Sequence, residues 1–295
     1  MIELAPEIEE ALRAEQPIVA LETTLVAHGF PGGEGLEVAL EAERRVRAAG
    51  AVPATVGVVD GAIRVGLAPN ELERFADAAA GARKVGPRDL AAAAVGRGLG
   101  ATTVGGTLAV CAAVGIRFIG TGGIGGVHRG FADRPDISAD LGELARTPAL
   151  VVSSGIKSLL DVPATLEVLE TLGVPVIGWR TETLPLFYAA VGGPPVPATV
   201  DAAAEAAAIA RSHWSLGRAG LLLAQPPAES IDVEPLIEGA LAEAESKTVT
   251  GQAVTPFVLA FIHRETGGAS VRVNKQLIAD NAALAAEVAG AFSPS

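Results

Sequence analysis

Six glycines fall within residues 120–130, at the end of an apolar run that begins at Phe118. A backbone this poor in side chains cannot be the interior of a helix or a long strand. It reads as a turn, free to take positive φ, to let a ligand approach closely and to aim N–H groups at an anion such as phosphate. The chain then passes through Asp136, Ile137, Ser138, Ala139 and Asp140 to a second strand-like run over residues 149–153, which closes on Ser154, Gly155, Ile156 and Lys157. Carboxylates and an amine delivered to the ends of consecutive strands are the pattern of an open α/β sheet, which gathers its chemistry at the carboxyl ends of its strands. Residues 118–157 therefore read as an active site, and the fold class as α/β.

The rest of the composition narrows the partners. At 295 residues and 49% hydrophobic, the chain can bury a large core as a single domain spanning residues 1–295. A formal charge of −12 argues against nucleic acid, whose binding rests on cation–phosphate contacts. A small anionic substrate is compatible with it if basic groups are concentrated locally. One cysteine, Cys111, excludes an intrachain disulfide framework and fits a reducing compartment; it lies in an apolar helix and reads as packing. The first residues lack a basic and apolar leader, and no run approaches the length of a membrane span, so no membrane partner and a cytoplasmic location are expected.

Only four lysines stand among the 22 basic residues: Lys84, Lys157, Lys247 and Lys275. Where arginine is the habitual cation, a lysine in an apolar segment points to a use for its amine. Lys247 sits in a solvated helix end. Lys84 lies in a short extended piece before a helix beginning near Pro87, where an amine beside free helix N–H groups suits a phosphate oxygen, or is simply a surface lysine on a turn.

In chain order, residues 18–21 read as a buried strand that stops at Glu22, placing a carboxylate at its tip as a general acid or base, or as a capping or salt-bridged glutamate. Residues 35–49 have helical periodicity. Strands on either side of Asp60 and Gly61 are predicted to form a hairpin. A helix is expected from Pro69 to about Ala80. Gly105, Gly106 and Thr107 precede a small-residue helix from Leu108, and with its hydroxyl and N–H groups this start suits an anion. His128 and Arg129 in the glycine turn read as phosphate-neutralising, or His128 as a histidine satisfied by backbone carbonyls. Later segments read as scaffold: a helix over 166–173, a strand over 174–178, a loop over 179–188 able to cover the site, and helical stretches starting near Ala202, Ile231, Thr255 and Asn274. His213 and His263 read as structural, His263 on a helix surface or interface.

Asp136 and Asp140 allow three readings: a helix N-cap region with Asp140 in the first turn, a hard-cation site completed by water, and an acceptor for a substrate hydroxyl or ring N–H. Lys157 allows two. An amine in an apolar pocket loses its proton more readily and can attack a carbonyl carbon to give a Schiff base. The alternative is an ion pair with Asp161, four residues on.

These residues resemble a known family. Leu21, Glu22, Thr23 and Thr24 with His28 and Gly29, the Lys84-Val85-Gly86 stretch, the glycine turn over residues 120–129, residues 136–140 and Gly155 to Ser158 are similar to the pseudouridine-5′-phosphate glycosidases, the indigoidine-synthesis A type. Thr255, Pro256 and Phe257 with Asn274 complete the resemblance, which covers about residues 17–288. It implies a three-layer α/β/α sandwich around a mixed, mostly parallel sheet, assembled as a homotrimer. It also implies reversible cleavage of pseudouridine 5′-phosphate to uracil and ribose 5-phosphate with a divalent metal, usually manganese (Mn2+). By motif, Glu22 would be the proton donor and Lys157 the nucleophile that captures C1′ as a Schiff base. Asp136 would hold the metal, Lys84 and Val104 would contact substrate, and Ser138, Ala139 and Asp140 would line the pocket. Asn274 would address the base, with Asn281 as a rival. Gln225 departs from the Asn expected before the proline.

The chemistry agrees with a lysine here. A carbon–carbon glycosidic bond has no leaving heteroatom to protonate, so the paired-carboxylate scheme of ordinary glycosidases fits it poorly. An iminium at C1′ supplies the missing electron sink. Two rivals stay open: a Schiff-base aldolase or lyase acting on another phosphosugar, and a non-catalytic phosphosugar-binding module in which Lys157 only pairs with an anion.

Overall fold

Short apolar runs alternating with helical segments wind into one large sheet. The computed structural model describes residues 2–77, 80–133 and 135–293, with Gln252 as backbone only. Its strands, in chain order, are β1 (Ile2–Leu4), β2 (Ile18–Leu21), β3 (Val52–Val59), β4 (Ala62–Val65), β5 (Arg83–Val85), β6 (Gly100–Thr102) and β7 (Phe118–Gly120). They continue as β8 (Val127–His128), β9 (Leu150–Ser153), β10 (Leu160–Asp161), β11 (Val176–Trp179), β12 (Ala198–Val200) and β13 (Leu221–Ala224). Among the described residues, eleven strands form one sheet in the order β1-β4-β3-β2-β7-β9-β13-β11-β12, with β6 joining β3 and β5 joining β6.

Pairing in that sheet is parallel except where β3 meets β4 and β6, and β8 and β10 form a separate antiparallel pair. The β3–β4 connection is the predicted hairpin. Asp60 and Gly61 both take positive φ, +52° and +91°, the conformation a two-residue turn needs to match strand twist. Every residue of β2, β7, β9, β11 and β13 is buried, so both faces of the central sheet are covered, as a parallel sheet flanked by helices requires.

The chain runs from β2 to β3 on one side and later returns to β2's other side with β7, so the strand order reverses at the carboxyl ends of β2 and β7. Such a switch point opens a crevice where ligands bind. The final helix, Ala269–Phe292, packs across β2, β7 and β9 and against the Gly35–Ala48 and Ala203–Ser215 helices. It lies so close that a Cβ on Gly120 would sit 2.9 Å from the Cα of Ala282.

Several boundaries differ from those read in the sequence. The Pro69 helix ends at Ala76, and Ala78 and Ala79 in its expected last turn lie outside the described residues. The helix expected over 166–173 is Val162–Thr171, because the Asp161 side chain accepts from the N–H of Ala164 (3.0 Å) and starts it earlier. His263 is not on the surface. It is 7% exposed, with Nδ1 2.7 Å from the Ser270 hydroxyl and Nε2 3.3 Å from the Gly29 carbonyl. Cys111 is fully buried, which pushes its thiol pKa up and leaves it inert packing, as expected. No helix among the described residues is long and apolar enough to cross a membrane.

Candidate active site

β2 and β6 share one edge of β3, β2 along residues 52–55 and β6 at Gly57 and Val58. Between them the Val56 carbonyl is taken by the hydroxyls of Thr23 (2.8 Å) and Thr102 (2.7 Å). Thr102 N–H donates to Thr23 Oγ1 (2.9 Å), and the Thr107 hydroxyl donates to Thr102 Oγ1 (3.0 Å). This chain of threonines ends β2 and leaves Glu22 at its tip. It also corrects one expectation: Thr107 is fully buried within it and does not line the cavity, so its hydroxyl is not offered to a substrate.

Glu22 is 6% exposed and accepts a 2.5 Å hydrogen bond from Thr121 at the end of β7. Burial pushes its carboxyl above the usual range, against the opposing influence of the Lys157 charge and the Thr121 hydroxyl. It is neither a helix cap nor ion-paired among the described residues.

Lys157 follows β9 in a turn clasped to the glycine turn. Its N–H donates to the Ile124 carbonyl (3.2 Å), and the Ile124 N–H donates to the Gly155 carbonyl (3.1 Å). Gly155 takes φ = +80°, and a Cβ there would lie 2.1 Å from the Pro185 oxygen. The anticipated pair with Asp161 does not form, since that carboxylate caps the following helix. Among the described residues the Lys157 ammonium has no hydrogen-bond or ion-pair partner. Nor is its surrounding the apolar pocket expected: Glu22, Lys84 and Asp140 line the same cavity.

Lys84, in β5, faces that cavity rather than open solvent, and its ammonium is likewise without a partner among the described residues. Burial lowers its pKa and the like charge of Lys157 adds to this, while Asp140, Glu22 and Asp136 oppose.

The glycine turn works differently from the expectation. Of its six glycines only Gly130 takes positive φ. Gly125 and Gly126 are needed for proximity, because a Cβ would meet the Ser138 hydroxyl at 2.2 Å and the Thr165 hydroxyl at 2.4 Å. Residues 136–138 run back along it, with His128 N–H donating to the Asp136 carbonyl (3.0 Å) and Ser138 N–H to the Gly126 carbonyl (2.9 Å). Asp140 holds the assembly: Oδ1 accepts from Gly105 N–H (2.7 Å) and Oδ2 from Gly125 N–H (2.9 Å). Both oxygens are thus engaged by backbone, and Ser138 caps the Ala139–Leu144 helix. Arg129 does not serve an anion here; its guanidinium pairs with Glu234 and donates to the carbonyl of Ser158 (2.9 Å).

Apart from Thr107, every expected site residue lines one cavity of ≈ 350 Å³: Glu22, Lys84, Val104, His128, Asp136, Ser138, Ala139, Asp140, Lys157 and Asn274. Asn274 is 3% exposed with Oδ1 unpartnered among the described residues. Asn281 lies outside the cavity lining and donates to the Thr121 carbonyl (2.8 Å) and Ser154 hydroxyl (3.1 Å). His28, named with the motif after Glu22 but given no role, also lines the cavity, as do Phe187 and Thr103, which were not singled out in the sequence. His28 had a signal, four residues after Thr24 on one helical turn. Phe187 had none.

For a divalent cation the donor set is sparse. Among the described residues no group of three or more His, Cys, Asp or Glu is placed to hold one. Asp136, with a 38% exposed side chain, has His128 Nε2 at 3.9 Å. Burial pushes that imidazole below its ordinary pKa, against the opposing charge of Asp136. One carboxylate, with the remaining positions taken by water and ligand oxygens, fits the oxygen-rich, incompletely protein-held coordination that magnesium-like ions accept.

Fold and cleft together define the class: an α/β protein whose cleft, at the switch point of a mostly parallel sheet, holds a buried acid and two amines without a partner among the described residues. The sequence profile of the indigoidine synthase A like proteins matches residues 7–291. The chain is 48% identical over 299 residues to a pseudouridine-5′-phosphate glycosidase of Herpetosiphon aurantiacus, covering 99% of this chain and 98% of that one. An indigoidine synthase A-like protein of Thermotoga maritima superposes with a TM-score of 0.90 at 36% identity, covering 100% of this chain and 97% of the other. The prealnumycin C-glycosynthase AlnA, solved in complex with ribulose 5-phosphate, gives 0.90 at 40% identity, covering 99% and 97%. The chain belongs to the indigoidine synthase A like family.

Proposed function

We propose that the protein is an enzyme that cleaves the C1′–C5 bond of pseudouridine 5′-phosphate reversibly, giving uracil and ribose 5-phosphate. The observation that carries this is the unpartnered ammonium of Lys157 in one cavity with the buried acid Glu22. The full-length similarity to a pseudouridine-5′-phosphate glycosidase supports the substrate.

Glu22, whose carboxyl burial pushes above the usual range, gives its proton to the ribose ring oxygen as the ring opens. The Lys157 ammonium passes one proton to the Glu22 carboxylate so left and bonds to C1′ as the C1′–O bond breaks. The adduct nitrogen sheds a second proton, C5 takes up a proton as the nitrogen lone pair expels uracil, and water hydrolyses the resulting iminium to release ribose 5-phosphate and the ammonium. Lys84, His128 and Ser138 bind the phosphate end, Val104 and Ala139 shape the cavity wall, and Asn274 addresses the base. Asp140 acts by fixing the turn that carries these groups. Asp136 would hold a divalent cation, manganese by family resemblance, which when bound would neutralise and orient ligand oxygens. The assembly is a homotrimer, which light scattering of the purified protein would check.

The test is mass spectrometry after incubation with ribose 5-phosphate and borohydride. A reduced pentose-phosphate adduct mapped to Lys157, absent in Lys157→Arg, is expected, because a guanidinium forms no imine under these conditions. Turnover retained in that variant refutes the mechanism. A second reading, chemistry on another pentose phosphate, is favoured by the likeness to AlnA, a C-glycosynthase solved with ribulose 5-phosphate. An adduct that forms while uracil supports no synthesis would select it.

A further inference from the structure

A bulky aromatic residue is held in left-handed backbone against the cavity. Phe187 takes φ = +60°. Such a residue adopts this conformation rarely and keeps it only where its surroundings enforce it, most often at functional sites. The enforcing contacts come from both sides of Lys157. Phe187 N–H donates to the Ser154 carbonyl (2.9 Å), the Ser158 hydroxyl donates to the Leu186 carbonyl (2.6 Å), and Leu186 bridges to Gly155.

The ring is 3% exposed and set edge-on to Tyr188, centroids 4.6 Å apart. It presses on the glycine turn: a Cβ on Gly123 would lie 2.6 Å from its Cδ2, and one on Gly122 would lie 3.3 Å from its Cε2. The same point at Gly122 is 3.1 Å from Ile278 Cγ1. Ile278 stands one helical turn beyond Asn274 on the final helix, and all three side chains line the cavity. They form an aromatic and aliphatic patch with one amide, distinct in chemistry from the charged lining of Lys84, His128 and Asp136.

We propose that Phe187 is a specificity-determining residue of the base subsite. Its ring is the flat wall on which a planar pyrimidine packs while Asn274 addresses the edge of that ring, and the hydrogen bonds through Ser154 and Ser158 fix the wall relative to the reacting amine. This rests on the reading above that the ligand carries a base. Stacking on a protein aromatic is commonly worth about ten-fold or more in affinity per base.

The experiment compares wild type with Phe187→Ala, Phe187→Leu and Phe187→Tyr. It measures the KM for uracil and for ribose 5-phosphate in the synthetic direction, and the yield of borohydride-trapped adduct with ribose 5-phosphate alone. Expected are a rise of about ten-fold in the uracil KM for Phe187→Ala, near wild-type behaviour for Phe187→Tyr, and trapping and ribose 5-phosphate KM close to wild type throughout. Should Phe187→Ala fail to fold, Phe187→Leu keeps a packing side chain without the flat face and carries the same expectation. An unchanged uracil KM in the folded variants overturns the proposal. So does a parallel loss of trapping, which would make Phe187 a prop for the Lys157 turn. A wild-type protein that neither traps ribose 5-phosphate nor uses uracil removes the function and this proposal together, whereas a responsive wild type with indifferent variants removes only the latter.

Discussion

Asp140 separates a structural clamp from a substrate contact, and the two roles predict different unfolding curves. Its oxygens accept the N–H groups of Gly105 and Gly125 at 2.7 and 2.9 Å, and the residue is 4% exposed. In Asp140→Ala both N–H groups stay buried without an acceptor, each costing about 1–3 kcal/mol, so the variant is expected to lose about 2–6 kcal/mol. Against the 5–15 kcal/mol typical of a whole native protein, that is a large fraction. Asp140→Asn keeps one acceptor oxygen and is expected to lose about half as much. The assay is urea unfolding followed by circular dichroism, read as the shift in midpoint at constant slope. Both variants also lose activity, because the glycine turn is no longer tied to the start of the Val104–Val114 helix. An Asp140→Ala protein that is inactive yet unfolds at the wild-type midpoint would refute the clamp and leave a ligand contact in its place.

Three further outcomes follow from the site. Thr121→Val removes a hydrogen bond donated to the Glu22 carboxylate and so disfavours its ionised form; the alkaline limb of the pH–rate profile, where protonated Glu22 is lost, is expected to move to higher pH. A bond to a charged group is worth about 1.5–3 kcal/mol, a ten- to hundred-fold change in that proton's binding, and a limb that stays put or moves down contradicts the assignment. Gly155→Ala meets the Pro185 oxygen at 2.1 Å in a positive-φ position, so folding stability measured by thermal melt should fall by at least about 1 kcal/mol, with adduct formation at Lys157 impaired. Chelator treatment followed by manganese titration should restore activity in wild type and require much higher metal in Asp136→Asn; equal metal dependence in both would move the cation elsewhere.

Much of this arrangement is legible along the chain because it is local. Asp60 and Gly61 carry their turn geometry in their own identities, and Glu22 and Lys157 announce themselves as polar residues that halt apolar runs. What is not legible depends on partners far away. Thr107 looks like an anion donor beside two glycines, and only the contact with Thr102 turns it inward. The three-residue strands β1 and β12 are too short to show a period and exist because β4 and β11 offer them an edge. Glycine at 125 and 126 reads as conformational freedom, yet its reason is Ser138 and Thr165. Phe187 gives no signal beyond its place in the loop over 179–188, since neither its backbone angle nor the wall it makes is encoded within its own segment.

The crowding around the glycine turn has a consequence for synthesis. The turn is pressed by Thr165, Phe187, Ile278 and Ala282, the last two from the final helix, Ala269–Phe292. During translation the strands that carry Glu22 and Lys157 are made before the helix that closes over them. The nascent chain can therefore build its sheet but cannot complete the site until the Ala269–Phe292 helix leaves the ribosome and docks. Catalytic competence becomes a readout of finished folding, and a chain without the Ala269–Phe292 helix would expose the switch-point crevice instead of a cavity.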